Sequence, residues 1–490
     1  MLIDARGYHE FSIWTPRLRQ AAYATIAGAM AAGAPHLPET AAALGRRIRA
    51  GLVTAAETVA AALARAEASQ PRLNAVAVPF YEEAAADARR LDRAGTAGLP
   101  LAGVPVSVKE SLDLAGTPSS GGVEALTAAR ARADGRLVAA LRAAGAVPIA
   151  KGNVAQLLWF AETENPVYGR TANPHALDRS PGGSSGGDAA LVAAGVVPVA
   201  IGTDLGGSVR QPAHCCGIAA LKPTAGRLSL EGSLDERLFA SFPWIANQPG
   251  IFARDVADIE LVLAALDAGA PAGIAPPRGL RVGVIVTNGV DDPSPSVRRA
   301  VALAAAAAED AGAHVIPFAP PAADHALELS DAVFVSDGGE TIERMLAGTA
   351  AHPRVAAARE AARGRALDTA GADALARRIA AYRRSFAATL DAEGLDAVLG
   401  PVHSVPAVRH GTSHEVVRGQ SYASLWNLLG YPAGVAPVTA VVPAEDTAAV
   451  GLPVGAQIAA RPWREDVVLG LLAAVAAPAP AAPHRPIADV

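Results

Sequence analysis

Cysteine is nearly missing from this chain, and its scarcity excludes one class of protein at once. Of 490 residues only Cys215 and Cys216 are cysteines, and they are adjacent. A disulfide-stapled secreted scaffold needs more bridges than that. A vicinal disulfide would be strained, so two buried thiols in a reducing compartment are the expectation. Adjacent thiolates without ordered histidine partners match no usual zinc spacing. Long basic runs are also missing. The net charge is −5, from 42 basic and 47 acidic side chains. The short cluster Arg46-Arg47-Ile48-Arg49 reads as a solvated helix face, so nucleic acid is not an expected partner. No apolar run reaches about 18 residues unbroken, and Ala21 to Ala34 is too short to span a bilayer. Asp4, Arg6, His9 and Glu10 interrupt the N-terminus before any apolar stretch, unlike a signal peptide. The expectation is a cytoplasmic protein without a membrane span. Aromatics are only 4% of the chain, while 51% is hydrophobic. The core should therefore be large and built from small and branched aliphatic side chains.

What is present alternates between helix and strand patterns. Leu44, Ile48, Leu52, Val59 and Leu63 recur at helical spacing, and Thr54 is an N-cap candidate before Ala55-Ala-Glu57. Short β-rich runs follow at 74–79, 104–109, 146–150 and 197–201, with helices predicted at 137–144 and 189–194. Residues 151–187 are rich in turn formers, and a long irregular stretch inside a domain is usually functional. After a Pro/Gly-rich connector at 271–278, a central strand is predicted at 280–286. A helix follows at 296–311, a strand at 315–318, a helical region at 323–394 and a buried strand at 396–399. This alternation predicts an α/β layered body. Residues 1–37 read as an N-terminal helical extension, 38–474 as one domain, and 475–490 as an Ala/Pro-rich tail.

Two glycine-rich stretches carry the chemistry. Ser184 lies in Ser180-Pro-Gly-Gly-Ser-Ser-Gly-Gly187, and Ser208 lies in Gly202-Thr-Asp-Leu-Gly-Gly-Ser-Val-Arg210. A hydroxyl on such a backbone, with free N–H groups beside it, suits acyl transfer: a nucleophile next to an oxyanion cradle. Taken alone, Ser208 reads rather as an incidental serine in a glycine turn. Gly182-Gly-Ser-Ser-Gly186 formally matches G-x-S-x-G, but loop rather than strand precedes it. Lys109 ends an apolar strand. Buried there, it would lose its proton more readily and could act as a base; otherwise it reaches out to solvent. His410 and His414 are four apart, but Gly411-Thr-Ser413 is a poor helix and the H-E-x-x-H glutamate is missing. They and His214 read as ordinary loop histidines, and no metal is expected.

Together these segments resemble the amidase signature family. The matching residues are Val106-Ser-Val-Lys-Glu110, Pro181-Gly-Gly-Ser-Ser-Gly-Gly187, Gly202-Thr-Asp-Leu-Gly-Gly-Ser-Val-Arg210 and Gly217-Ile-Ala-Ala-Leu-Lys-Pro-Thr-Ala-Gly-Arg227. The resemblance implies one α/β/α domain with a large mixed, twisted sheet, and hydrolysis of a carboxylic amide without a cofactor. It implies Ser208 as nucleophile, Ser184 as bridging serine and Lys109 as base, with a cis Gly183–Ser184 peptide. The backbone N–H groups of Leu205, Gly206, Gly207 and Ser208 would form the oxyanion hole. Ser185, Asp204 and Arg210 would be supports.

Some segments look closest to the fatty acid amide hydrolase branch. They are Lys151-Gly-Asn-Val-Ala-Gln156, Asn165-Pro-Val-Tyr-Gly169, Tyr422 to Val435, and Gly451-Leu-Pro-Val454 to Pro462-Trp-Arg-Glu465. In that branch the stretch at Leu158 and Trp159 lines the acyl channel, although plain core packing accounts for Trp159 as well. Ala155 replaces the usual proline, and Ala161 stands where a large aromatic is common. The expected partner is a small-molecule amide, with a homodimer possible. An acyltransferase using the same acyl-enzyme, the amidase subunit of an amidotransferase, and a catalytically silent binding protein are the alternative readings.

Overall fold

Strand β2 (Pro105–Lys109) shows how the chain sorts its faces. Successive side chains of a strand point to opposite sides. Val106 and Val108 pack with Val199 and Ile201 in one apolar cluster. Ser107 and Lys109 therefore turn to the other face, where Ala200, Ala189 and Ala190 belong to a second cluster. Every residue of β2 is buried, so this face must satisfy a hydroxyl and an amine without water.

The computed structural model describes residues 39–240, 242–267, 269–270 and 273–476. Eleven strands form one sheet. In chain order its members are β1 (Val76–Pro79), β2, β3 (Val147–Gly152), β6 (Val199–Asp204), β7 (Ala219–Lys222), β8 (Gln248–Ala253), β9 (Arg281–Val284), β10 (His314–Pro317), β11 (Ala397–Pro401), β12 (Ala433–Ala440) and β13 (Pro453–Ala460). Their spatial order is β1-β3-β2-β6-β8-β7-β12-β13-β11-β9-β10. The sheet is mixed. β2 runs parallel to β3 and β6, and β9 parallel to β10 and β11, while the middle strands pair antiparallel. A small hairpin of β4 (Glu164–Asn165) and β5 (Gly169–Arg170) stands apart.

Helices cover both faces. The helices Val256–Leu266, Pro295–Asp310 and Glu465–Val475 contribute Ile259, Val297 and Val467 to the first cluster. The helices Ala55–Leu73 and Gly186–Ala193 contribute Val59 and Leu191 to the second. This is the expected α/β/α body with a large mixed sheet. Thr54 caps its helix as predicted: its side chain accepts the Glu57 N–H, and Glu57 accepts the Thr54 N–H at 2.8 Å.

Two readings need correction. The strand predicted at 280–286 is not central; β9 is next to the sheet edge. Its apolar run reports burial on both faces, which parallel strands have wherever helices cover them. β8, next to the central β7, carries Pro249 and Gly250, which mask it as a strand. The expected extension 1–37 lies outside the described residues. Of the expected tail, Val475 closes a helix and Ala476 caps it, and the rest lies outside the described residues.

Candidate active site

Lys109 leaves the end of β2 wholly buried. Its Nζ donates to Ser184 Oγ at 2.8 Å, to Thr203 Oγ1 at 2.6 Å and to the Thr203 carbonyl at 3.4 Å. Burial pushes its ammonium down from the ordinary lysine range. The carboxylates of Asp235, Asp188, Asp204 and Glu110 pull the other way without cancelling the effect. Ser184 sits just before the helix Gly186–Ala193, and the Gly183–Ser184 peptide is cis. The Ser185 N–H donates to the Ser208 carbonyl at 3.3 Å, which sets the two glycine-rich segments side by side. Ser185 Oγ bonds to the backbone of Thr203, tying the segment to β6. Ser208 is half-buried, and among the described residues its hydroxyl has no hydrogen-bond partner. Lys109 and Ser184 are thus joined directly, while Ser184 and Ser208 are joined through backbone.

The loop from 205 to 208 is shaped by one carboxylate. Asp204 Oδ1 accepts the Gly207 N–H at 2.8 Å, and Oδ2 accepts the Val209 N–H at 3.2 Å. Gly207 has φ +118°, a conformation that favours glycine. Of the four N–H groups expected to form an oxyanion cradle, one has an acceptor within the loop. The Gly207 N–H is already taken, whereas those of Leu205, Gly206 and Ser208 have no acceptor among the described residues. Arg210 pairs with Asp204, and both side chains are fully buried. All five guanidinium donors are used: Nε and Nη2 on Asp204, Nη1 on the Ala423 carbonyl and Gln457 Oε1, and Nη2 again on Asn427 Oδ1. Burial alone would raise the Asp204 carboxyl, but the Arg210 guanidinium holds it well below the usual carboxylate range.

Beside this loop lies a cluster of rings. Trp159 lies 6.2 Å from Phe239, 6.0 Å from Phe242 and 5.8 Å from Phe334, centroid to centroid. A Cβ placed on Gly206 would meet Phe334 at 4.0 Å, so the cluster borders the loop itself. Leu157 and Leu158 both adopt positive φ, 52° and 60°, unusual for bulky residues, and this kink places Trp159. The Ala155 N–H donates to the Ser184 carbonyl at 3.3 Å, linking that segment to the serine. Leu158 is buried and Trp159 half-buried.

The histidines serve the fold. His214 sits between the Val405 carbonyl and the Gly455 N–H. His410 bonds the Leu177 carbonyl, and His414 pairs with Arg354. Among the described residues no group of three or more His, Cys, Asp or Glu is placed to hold a metal. No helix among them is long and apolar enough to cross a membrane. Cys215 and Cys216 are free buried thiols, and burial pushes Cys215 up to about 12.

Sequence reasoning assigned no role to Thr203, Asn427 or Gln457. Thr203 stands inside the second glycine motif, so a signal existed. Asn427 and Gln457 are 217 and 247 residues from Arg210 in sequence, and although both lie in family-like segments, nothing there ties them to Arg210.

The sequence model of the family described as Amidase matches residues 57–469. The chain is 35% identical over 435 residues to fatty-acid amide hydrolase 1 of Sus scrofa, covering 75% of this chain and 74% of the relative. It is 43% identical over 225 residues to an indoleacetamide hydrolase of Bradyrhizobium diazoefficiens, covering 44% and 42%. A solved structure of a fatty acid amide hydrolase superposes with a TM-score of 0.82 at 25% identity, covering 89% of this chain and 84% of that one. With these likenesses set on a mixed eleven-stranded sheet and a buried lysine–serine pair, the chain belongs to the amidase signature family of amide-hydrolysing enzymes.

Proposed function

We propose that this amidase works through an acyl-enzyme on Ser208, with Ser184 relaying protons to and from Lys109. The observation that carries it is the 2.8 Å contact between the wholly buried Lys109 Nζ and Ser184 Oγ. As a free amine, Lys109 can spend its two N–H groups on the Thr203 carbonyl and Oγ1. Its lone pair then faces the Ser184 hydroxyl. Lys109 takes the Ser184 proton while Ser184 takes that of Ser208, and Ser208 Oγ attacks the amide carbonyl. The oxyanion rests on the N–H groups of the 205–208 loop, with Leu205, Gly206 and Ser208 carrying the load that Gly207 cannot. Ser184 returns a proton to the departing amine, and water cleaves the ester. Active-site hydrogen bonds often tighten only when substrate binds, and this reading requires the Ser208 hydroxyl to turn onto Ser184 Oγ at that point.

Leu158 and Trp159 line the acyl side in this reading. The rings of Phe239, Phe242 and Phe334 extend that wall. Offset and edge-on ring contacts favour a flat aromatic acyl group, and one relative carries indoleacetamide in its name.

A fluorophosphonate probe tests the assignment. Wild type should be labelled on Ser208, and Ser208→Ala should lose label and turnover while keeping its fold. Lys109→Ala should lose turnover by a factor on the order of 10³ or more. Near-wild-type amidase activity in Ser208→Ala, or only a few-fold loss in Lys109→Ala, ends the proposal.

A further inference from the structure

We infer that Asp188 acts through Lys109, setting the pH at which the lysine amine is free. The inference rests on the proposed role of Lys109 as base. Asp188 is the third residue of the helix Gly186–Ala193, which begins immediately after Ser184 and Ser185. Its side chain is fully buried. Oδ1 accepts the Ser107 hydroxyl at 2.8 Å, and Ser107 lies two residues before Lys109 on the same face of β2. Oδ2 has no hydrogen-bond partner. Gly152 of β3 packs against the carboxyl, so that a Cβ there would lie 2.5 Å from it. A buried carboxylate with one oxygen left unpartnered is costly when charged.

The surrounding charges are few. Lys109 of β2 and Lys151 of β3 are the cations that face Asp188. Lys151 gives its ammonium hydrogens to the Pro118 carbonyl and Ser119 Oγ instead. Three other carboxylates bear on Lys109. Asp204 is neutralised by Arg210. Glu110 accepts two backbone N–H groups and the hydroxyls of Ser120 and Tyr168. Asp235 accepts the Asn247 amide. Asp188 and Asp235 each keep one buried oxygen without a partner, but only Asp188 is bonded to the strand that carries Lys109, through Ser107. Burial moves the Asp188 carboxyl up to about 7, against the pull of the Ser107 bond and of Lys109. It therefore changes charge near neutral pH. When ionised, it favours the ammonium of Lys109 and withholds the base. When it carries a proton, Lys109 is released as the free amine.

Replacing Asp188 by Asn keeps an acceptor for Ser107 and removes the charge. The acid limb of the kcat/KM–pH profile should then move to lower pH by about one unit, the scale of a close charge pair. Activity at a fixed pH on that limb should rise about tenfold. Ser107→Ala gives a second arm. It removes the hydrogen bond that favours ionised Asp188, so its limb should move the same way by less. Acid limbs that superimpose on wild type in both variants, with Ser208 still labelled, overturn the role of Asp188 and leave the triad reading intact. Turnover surviving in Ser208→Ala would instead overturn the triad reading.

Discussion

Removing one charge at Asp204 should cost this enzyme both stability and the shape of its 205–208 loop. The carboxylate accepts six hydrogen bonds: from the N–H groups of Gly207, Val209 and Arg210, from Nε and Nη2 of Arg210, and from Asn427 Nδ2. In Asp204→Asn the new amide group must face some of those donors. The Arg210 guanidinium is then left buried without a counter-charge. Breaking a buried pair in this way costs about 3–5 kcal/mol. An unfolding entropy of roughly 2.1 cal/mol/K per residue, over a chain of this length, makes that a fall in apparent Tm of about 4 °C. The loss should depend on pH. Arg210 holds the Asp204 carboxyl below its usual range in the folded protein. Its contribution is therefore complete above about pH 4, where the unfolded carboxyl ionises, and is lost as pH falls further. Thermal scans of both proteins from pH 7 down to pH 3 measure this, and the gap between them should begin to narrow below about pH 4. The variant should also lose kcat, because the Gly207 N–H is no longer anchored. An apparent Tm within 1 °C of wild type and an unchanged kcat would refute the reasoning.

Three further expectations follow from other parts of the molecule. Lys222 is fully buried on two carbonyls, those of Pro223 and Tyr431, and burial brings its amine down to about 7. Between pH 7 and the ordinary lysine range the unfolded chain binds a proton that the fold does not, so stability should rise from pH 7 to 8.5 by about 1.4 kcal/mol per unit; a Lys222→Met variant with the same slope would disprove it. A Cβ at Gly187 would lie 2.1 Å from the Asn153 nitrogen and 2.7 Å from the Ala75 carbonyl oxygen, both backbone. Gly187→Ala should cost about 3 kcal/mol, and unchanged thermal unfolding would count against the close packing. Phe334→Ala should lower kcat/KM for aryl-acyl amides about tenfold while sparing acetamide, and equal losses on both substrates would remove Phe334 from the acyl wall.

The local signals in the chain carried far. The apolar run ending in Lys109 marked a strand end, because a strand buried on both faces must be apolar until it reaches a site, while the strand expected at 197–201 continues to Asp204. Glycine pairs beside Ser184 and Ser208 marked backbone that must be approached closely. Thr54 with Glu57 announced a helix start, since capping is settled within one turn. Other features lay beyond any local pattern. Lys109 meets Ser184 across 75 residues of sequence and Thr203 across 94. Asp204 meets Asn427 across 223. The rings at 159, 239, 242 and 334 come from separate segments, and only packing brings them to one wall. That Asp188 is left with one unpaired oxygen was decided by tertiary structure alone. A sequence gives the donors and acceptors available, whereas their pairing depends on which of them the fold removes from water together.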